Sequence, residues 1–213
     1  MTWIKDRLLA GDALLGIWLT TGSPAVADIA GVAGFDWALI DLEHGLGSDH
    51  DLLPQIQALD RHGVAAIVRL PILDPAPVKR ILDMGAAGIM IPQVRTAAEA
   101  REAVRAMRYP PDGSRGMASQ CRAARFGRDF AEYHAQANAE VLAAIQIEAP
   151  EAVENAAAIA AVDGVDVLFI GHSDLSLQLG CFRDFRHPRL LAAEEAVLAA
   201  CILAAMTVHL LQY

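Results

Sequence analysis

Four apolar stretches of this sequence end on side chains that can ligate, donate or move a proton. They end in Asp41-Leu42-Glu43-His44-Gly45, in Arg69, in Gln146 with Glu148, and in His172-Ser173-Asp174. The clearest is VLAAIQIEAP, residues 141–150, in which an apolar run gives way to polar and apolar residues in alternation. Residues two apart on a strand share a face, so Gln146 and Glu148 point the same way. Ala149-Pro150 ends the strand, and Pro150-Glu151 reads as the first turn of a helix. Taken singly, each residue has a plainer reading. Glu148 and Asp174 could cap the helices that follow them, and His44 could be a structural histidine. Arg69 could hold the fold by pairing with a carboxylate, with Asp41 or Glu43 orienting Arg69 or His44. Trp18 reads as core or pocket wall, and His172 stays open between metal, substrate and water. Their joint occurrence on separate strand ends is what favours a site.

Positioning these residues takes a regular alternation of strands and helices. Strands are expected at residues 14–19, 37–41, 65–70, 88–92, 141–148 and 165–171, with a seventh at 206–211. Helices are expected at 24–33, 49–62, 75–84, 96–108, 150–161 and 188–205. Gly34, Gly63 and Gly85 act as stops. Near-continuous apolar strands separated by helices mean a parallel sheet covered by helices. No dinucleotide fingerprint or P-loop follows any strand, which disfavours a nucleotide-binding sheet. The expected fold is therefore α/β: a (β/α)8 TIM-type barrel, one domain over residues 1–213. It has about seven strands in this chain and lacks a final βα unit. In a barrel all strand carboxyl ends converge on one mouth.

Composition sets the outer limits. The 213 residues are 54% hydrophobic and 20% charged, enough for one sizeable core. A net charge of −9 offers no footprint for nucleic acid. The local cluster of Arg122, Arg125 and Arg128 reads as a helix face, a partner contact or an anion contact. Cys121, Cys181 and Cys201 form no CxxC pair and read as reduced thiols of a cytoplasmic protein. The longest apolar run, 196–206, is too short for a bilayer, which takes about 20 residues. Lys5 and Lys79 are the only lysines and both fall on helices, so a Schiff base is not expected.

The pieces LIDLEHG, VRLP, ILDMGAAGIMIPQV, YPPDGSRG, AAIQIE and IGHSDLS together resemble the HpcH/HpaI aldolase family. These are class II, metal-dependent pyruvate aldolases of the phosphoenolpyruvate/pyruvate barrel superfamily. The resemblance runs from about residue 15 to about residue 200. Two departures stand out: members commonly carry Pro where His172 stands, and they continue through a further strand and helix. The resemblance implies retro-aldol cleavage of a 4-hydroxy-2-oxo acid to pyruvate and an aldehyde. It implies a divalent ion, Mg²⁺ or Mn²⁺ with Co²⁺ as an option, on Glu148 and Asp174. Two carboxylates with the remaining positions left to water suit such an ion. In this reading Arg69 serves the developing oxyanion, and Gln146 bonds the ligand or an ion-held water. Backbone N–H groups near Ser173 hold the donor carboxylate, and Trp18 walls the pocket. His44 is the general base, acting through water with Asp41 fixing its tautomer. A homotrimer or homohexamer follows, with Asp83 and residues 115–128 reaching a neighbour. Two rivals stay open: a CoA-ester lyase of the citrate lyase β type, and a truncated, non-catalytic assembly paralogue.

Overall fold

A computed structural model describes residues 3–204 and 207–209. Its strands are β1 (Gly16–Leu19), β2 (Trp37–Asp41), β3 (Ala65–Arg69), β4 (Gly88–Ile91), β5 (Leu142–Ile147), β6 (Val167–Ile170) and β7 (Thr207–His209). They form one sheet in the order β1-β2-β3-β4-β5-β6-β7, every neighbouring pair parallel. Among the described residues no pairing joins β1 to β7, so the sheet curls as a barrel that is not closed. The expected seventh strand is present at residues 207–209; Met206, Leu210 and Leu211 lie outside the described residues.

The strand period sorts the core into two clusters. Ala38, Ile40, Ala66, Val68, Ile89, Ile91, Ala143, Ile145, Leu168 and Ile170 point to the helices. Trp37, Leu39, Ala65, Ile67, Met90, Leu142, Ala144, Val167 and Phe169 fill the inside of the curl. Following the inward parity along each strand leads to Trp18, Asp41, Arg69, Gln146 and Glu148. On β2, β3 and β5, apolar residues at the strand start and polar residues at its end thus lie on one interior surface.

The helices between the strands are α2 (Pro24–Val32), α3 (Asp49–Asp60), α4 (Pro75–Asp83), α5 (Ala97–Met107) and α6 (Phe130–Glu140). They continue with α7 (Pro150–Glu154), α8 (Ala156–Ala160), α9 (His172–Gln178) and α10 (Pro188–Leu203). Local chemistry explains their ends. Ser48 with Asp51, and Thr96 with Glu99, form capping boxes. Proline opens α2, α4, α7 and α10, where no N–H is needed. Gly85 follows α4 at φ 100°, a left-handed turn that favours glycine. The single helix expected over 150–161 is instead two, divided at Asn155. The Asn155 side chain donates to the Arg95 carbonyl (2.9 Å), a tertiary bond that the helical periodicity does not encode. Among the described residues no helix is long and apolar enough to cross a membrane.

The sequence reading placed Lys5 on a helix without giving that helix bounds. Helix α1 (Trp3–Leu9) puts Ile4 and Leu8 into the inner cluster beside Trp37, Met90 and Leu142. It stoppers the amino-terminal end of the curl. Lys5 Nζ fixes it there, 3.1 Å from the Val141 carbonyl and 3.0 Å from Asp166 Oδ1. Arg7 adds a 2.6 Å pair to Asp36, whose other oxygen accepts from the Leu15 N–H. If Leu8 is part of the core, Leu8→Ala costs about 2–5 kcal/mol, the range for a buried leucine. Urea denaturation followed by circular dichroism reads this directly. A loss within 0.5 kcal/mol, typical of surface positions, would show the helix to be undocked in solution.

Candidate active site

At the carboxyl ends of the strands the centre is Arg69. The parallel register of β2 and β3 sets Asp41 and Arg69 side by side, both facing inward. The guanidinium forks onto the carboxylate, Nε to Oδ1 at 2.9 Å and Nη2 to Oδ2 at 2.7 Å. Nη1 reaches Gln146 Oε1 at 3.4 Å and lies 2.7 Å from Glu43 Oε2, an ion pair without hydrogen-bond alignment. The flat face of the group covers the Trp18 ring at 4.4 Å, and Trp18 leans on Phe169 at 5.8 Å. Arg69 is 4% exposed and is held by these contacts where it meets the mouth cavity. Burial pushes Asp41 upward, but the Arg69 fork and the Glu43 and His44 N–H groups outweigh it and hold the carboxylate below its usual range.

Beside this fork sits a carboxylate under the opposite stress. Glu148 is 1% exposed. Its Oε1 accepts from the Gln93 N–H (2.7 Å) and its Oε2 from the Gln146 amide (2.6 Å). Burial, with the nearby charges of Glu43 and Asp174, raises its pKa to about 7 despite the Gln93 bond. Glu43 is also raised, first by burial, with Asp41 and Asp174 adding and Arg69 and His44 opposing. The end of β6 passes so close that a Cβ on Gly171 would sit 2.8 Å from Glu148 Oε2 and from Gln146 Nε2. Only glycine lets α9 start there.

His44 and Asp174 complete the arrangement. Asp41 Oδ1 accepts from the backbone N–H of Glu43 (3.0 Å) and of His44 (3.3 Å), which folds the β2 loop over the mouth. The His44 side chain is 68% exposed at the lip, with Nε2 3.8 Å from Glu43 Oε1. The carboxylate near the His44 ring is therefore Glu43. Asp41, expected to fix the imidazole tautomer, is turned to Arg69 and to the loop backbone, because the bidentate guanidinium is the stronger partner. Asp174 stands half-buried in the first turn of α9 beside Ser173, with no hydrogen bond or ion pair among the described residues.

Trp18, His44, Arg69, Gln146, Ser173 and Asp174 line one cavity of about 150 Å³. Glu148 lies just beneath it, under the Gln146 amide. Asp83 is elsewhere: it ends α4, and its Oδ1 is 2.7 Å from Arg115 Nη2, which also reaches the Tyr133 hydroxyl at 2.7 Å. Two contributors escaped the sequence reading. Gln93 acts through a backbone N–H in the left-handed conformation (φ 56°), and Gly171 acts through its lack of a side chain. The position of Gln93, two residues past β4, was the available signal. No cluster of three or more metal-ligating side chains occurs among the described residues. The donor set still suits a hard divalent ion: Asp174 lines the cavity, Glu148 bonds the Gln146 amide beside it, and burial, then the charges of Glu43 and Asp174, raises Glu148.

Comparison with known proteins agrees on one kinship. The HpcH/HpaI aldolase/citrate lyase pattern matches residues 14–211. A protein of Klebsiella pneumoniae named 2-keto-3-deoxy-L-rhamnonate aldolase is 44% identical over 185 residues, 86% of this chain and 69% of its own length. A Shigella boydii protein named 5-keto-4-deoxy-D-glucarate aldolase is 40% identical over 184 residues, 86% of this chain and 71% of its own length. The crystal structure of a family protein from Burkholderia cenocepacia superposes with a TM-score of 0.92 at 40% identity, covering 98% of this chain and 83% of that one.

The Glu148 strain has a measurable consequence. Its folded pKa, about 7, lies above that of an exposed glutamate, about 4.3. The folded state therefore holds an extra proton between those values. Its contribution to stability is complete below about pH 4.3 and fades as pH rises through about 7. Glu148→Gln keeps the volume and removes this dependence. Urea unfolding in EDTA from pH 5 to 8 should show a shallower decline in the variant than in the wild type. Equal slopes would mean that Glu148 does not carry the strain.

Proposed function

The chain belongs to the HpcH/HpaI aldolase/citrate lyase family, and from that premise we propose that it cleaves a 4-hydroxy-2-oxo acid, reversibly, to pyruvate and an aldehyde. This makes it a carbon–carbon lyase of the class II aldolase kind, as relatives 40–44% identical are named. Those names favour the aldolase over the CoA-ester lyase and over a silent assembly subunit. The observation that carries the reading is a buried guanidinium, forked onto Asp41, at a cavity lined by Asp174 and adjoined by the raised Glu148.

Glu148 and Asp174 would hold the divalent ion, Mg²⁺ or Mn²⁺ by donor type, and when bound it supplies Lewis-acid polarisation of the 2-oxo group. The chain's own residues do the rest. Arg69 is held by Asp41 and Trp18 at the cavity wall, so it would donate to the oxyanion without reorganisation during the reaction. Gln146, bridging Arg69 and Glu148, orients the ligand between them. Ser173 and the first N–H groups of α9 face the donor carboxylate. His44, at the lip with Glu43 3.8 Å away, takes the proton of the 4-hydroxyl, directly or through one water. Glu43 then stabilises the imidazolium. The carbon–carbon bond breaks, the aldehyde leaves, and protonation of the enolate carbon yields pyruvate. Lys5 is committed to Asp166 at the far end of the curl, which agrees with a mechanism without a Schiff base.

The remaining expectations stand as proposals. Assembly as a homotrimer or homohexamer would use the face around residues 115–128, where Phe126 is exposed while Asp83 is satisfied within its own chain by Arg115. A small 2-oxo acid and an aldehyde are the partners, and the cytoplasm is the compartment. The test is retro-aldol turnover of several 4-hydroxy-2-oxo acids. Activity is expected to vanish in EDTA and return with Mg²⁺ or Mn²⁺. His44→Ala should lower the rate by about 10²–10⁴, the usual contribution of a positioned acid–base group, while pyruvate binding survives. Full turnover in EDTA would overturn the metal-assisted reading, and normal turnover of the variant would remove His44 as the base.

A further inference from the structure

The short helix α9, which carries Asp174, is clasped to the end of β5 at both of its ends. In front, the Gly171 N–H donates to the Ile147 carbonyl at 2.9 Å. Behind, the Gln178 side chain donates from Nε2 to the Glu148 carbonyl, also at 2.9 Å. A carbonyl only accepts, so the amide nitrogen is the atom that faces it. Between the two clasps Leu175 and Ser176 are buried, and the Ser176 hydroxyl donates to the Ser173 carbonyl at 2.9 Å.

Asp174 and Gln178 are an i, i+4 pair, so they share one face of the helix. That face is turned to Glu148. Gln178 bonds its main chain, and Asp174 lies near enough for its charge to bear on the Glu148 carboxyl. Gln178 itself is exposed and belongs neither to the core nor to the lining of the mouth cavity. Its bond fixes the plane of the peptide that follows Glu148. The direction in which the Glu148 side chain leaves the strand is thereby set relative to the helix that bears Asp174.

On the reading above, in which Glu148 and Asp174 hold a divalent ion, we propose that Gln178 is a positioning residue that sets the spacing of these two carboxylates. Like charges move apart when nothing holds them, and an arriving ion must then draw them together at the expense of its affinity. The Gln178 bond holds them in place beforehand, and such preorganisation tightens binding without adding a ligand. Gln178 acts on the ion through Glu148 and touches neither ion nor substrate.

The experiment titrates the full chain, stripped with EDTA and dialysed, with Mn²⁺ and reads the free ion by electron paramagnetic resonance. Urea unfolding in EDTA is measured beside it. Gln178→Leu removes the donor at an exposed position. It should weaken Mn²⁺ binding about 10-fold, the lower end of what is lost with a group that orients a metal ligand, while the urea midpoint changes little. At about pH 8 the ring of Gln178→His is neutral, and its Nε2 stands as many bonds from Cα as the glutamine amide nitrogen. That variant should recover most of the affinity. Unchanged Mn²⁺ affinity in Gln178→Leu, whatever its urea midpoint, or a loss that Gln178→His does not recover, overturns the assignment. Asp174→Asn checks the ion site separately and should bind Mn²⁺ more weakly than Gln178→Leu. If the wild type takes up no Mn²⁺, or Asp174→Asn binds it as tightly as the wild type, the ion-site reading falls, and this assignment with it.

Discussion

The site depends on a single charge pair formed across adjacent strands. Asp41 and Arg69 are register partners on β2 and β3, and their two-point contact fixes the one cation around which the other polar groups gather. Buried ion pairs are poor sources of stability, because desolvation offsets their attraction. The return here is in geometry. With Asp41 on one edge, Trp18 beneath and Glu43 and Gln146 beyond, the guanidinium has one orientation. The same Asp41 oxygen accepts from the Glu43 and His44 N–H groups, so the loop bearing His44 is tied to the residue that fixes Arg69. The cost falls on Glu148 and on the half-buried Glu43, both raised first by burial and then by neighbouring carboxylates.

Two opposed pKa displacements within one mouth follow from that layout. Asp41 is held down by a dedicated partner, while Glu148 is lifted by burial and by like charges. A carboxylate that is already neutralised has little to gain from an incoming cation, and one that is strained has much. The environment therefore separates a structural carboxylate from one available as a ligand, although both sit at strand ends and face the same interior.

Much of this was legible in the sequence because period two is unambiguous on a buried strand. The inward parity of WALID, AAIVR and LAAIQI leads to Asp41, Arg69 and Gln146, and the structure places them together. Helix starts and stops were equally readable from Pro, Ser, Thr and Gly. What was not legible was anything carried by backbone or by distance. Gln93 contributes an N–H, Gly171 contributes the lack of a side chain, and Asn155 divides a helix by reaching Arg95. The carboxylate beside His44 was left between Asp41 and Glu43 by the residues alone for a related reason. Asp41 and Glu43 are alternatives in one dimension, and only the three-dimensional demand of Arg69 assigns the first of them away from the imidazole. Helix α1 was read only as the helix that carries Lys5, because its apolar pair, Ile4 and Leu8, is too brief for periodicity to set its bounds.

That helix has a bearing on how the protein is born. Lys5 finds Asp166, and Leu8 finds Leu142 and Val167, so the first element of the chain is completed by some of the last. At about 5–20 residues per second of synthesis, on the order of 8–30 s separate the emergence of Lys5 from that of Asp166. Throughout that interval the unfinished curl is open at its base, and a short amphipathic helix waits without its seat. Contacts of such long sequence separation slow folding and prolong the exposure of apolar surface. The nascent protein is thus most vulnerable to aggregation, and most in need of chaperone protection, while β5 and β6 are still on the ribosome.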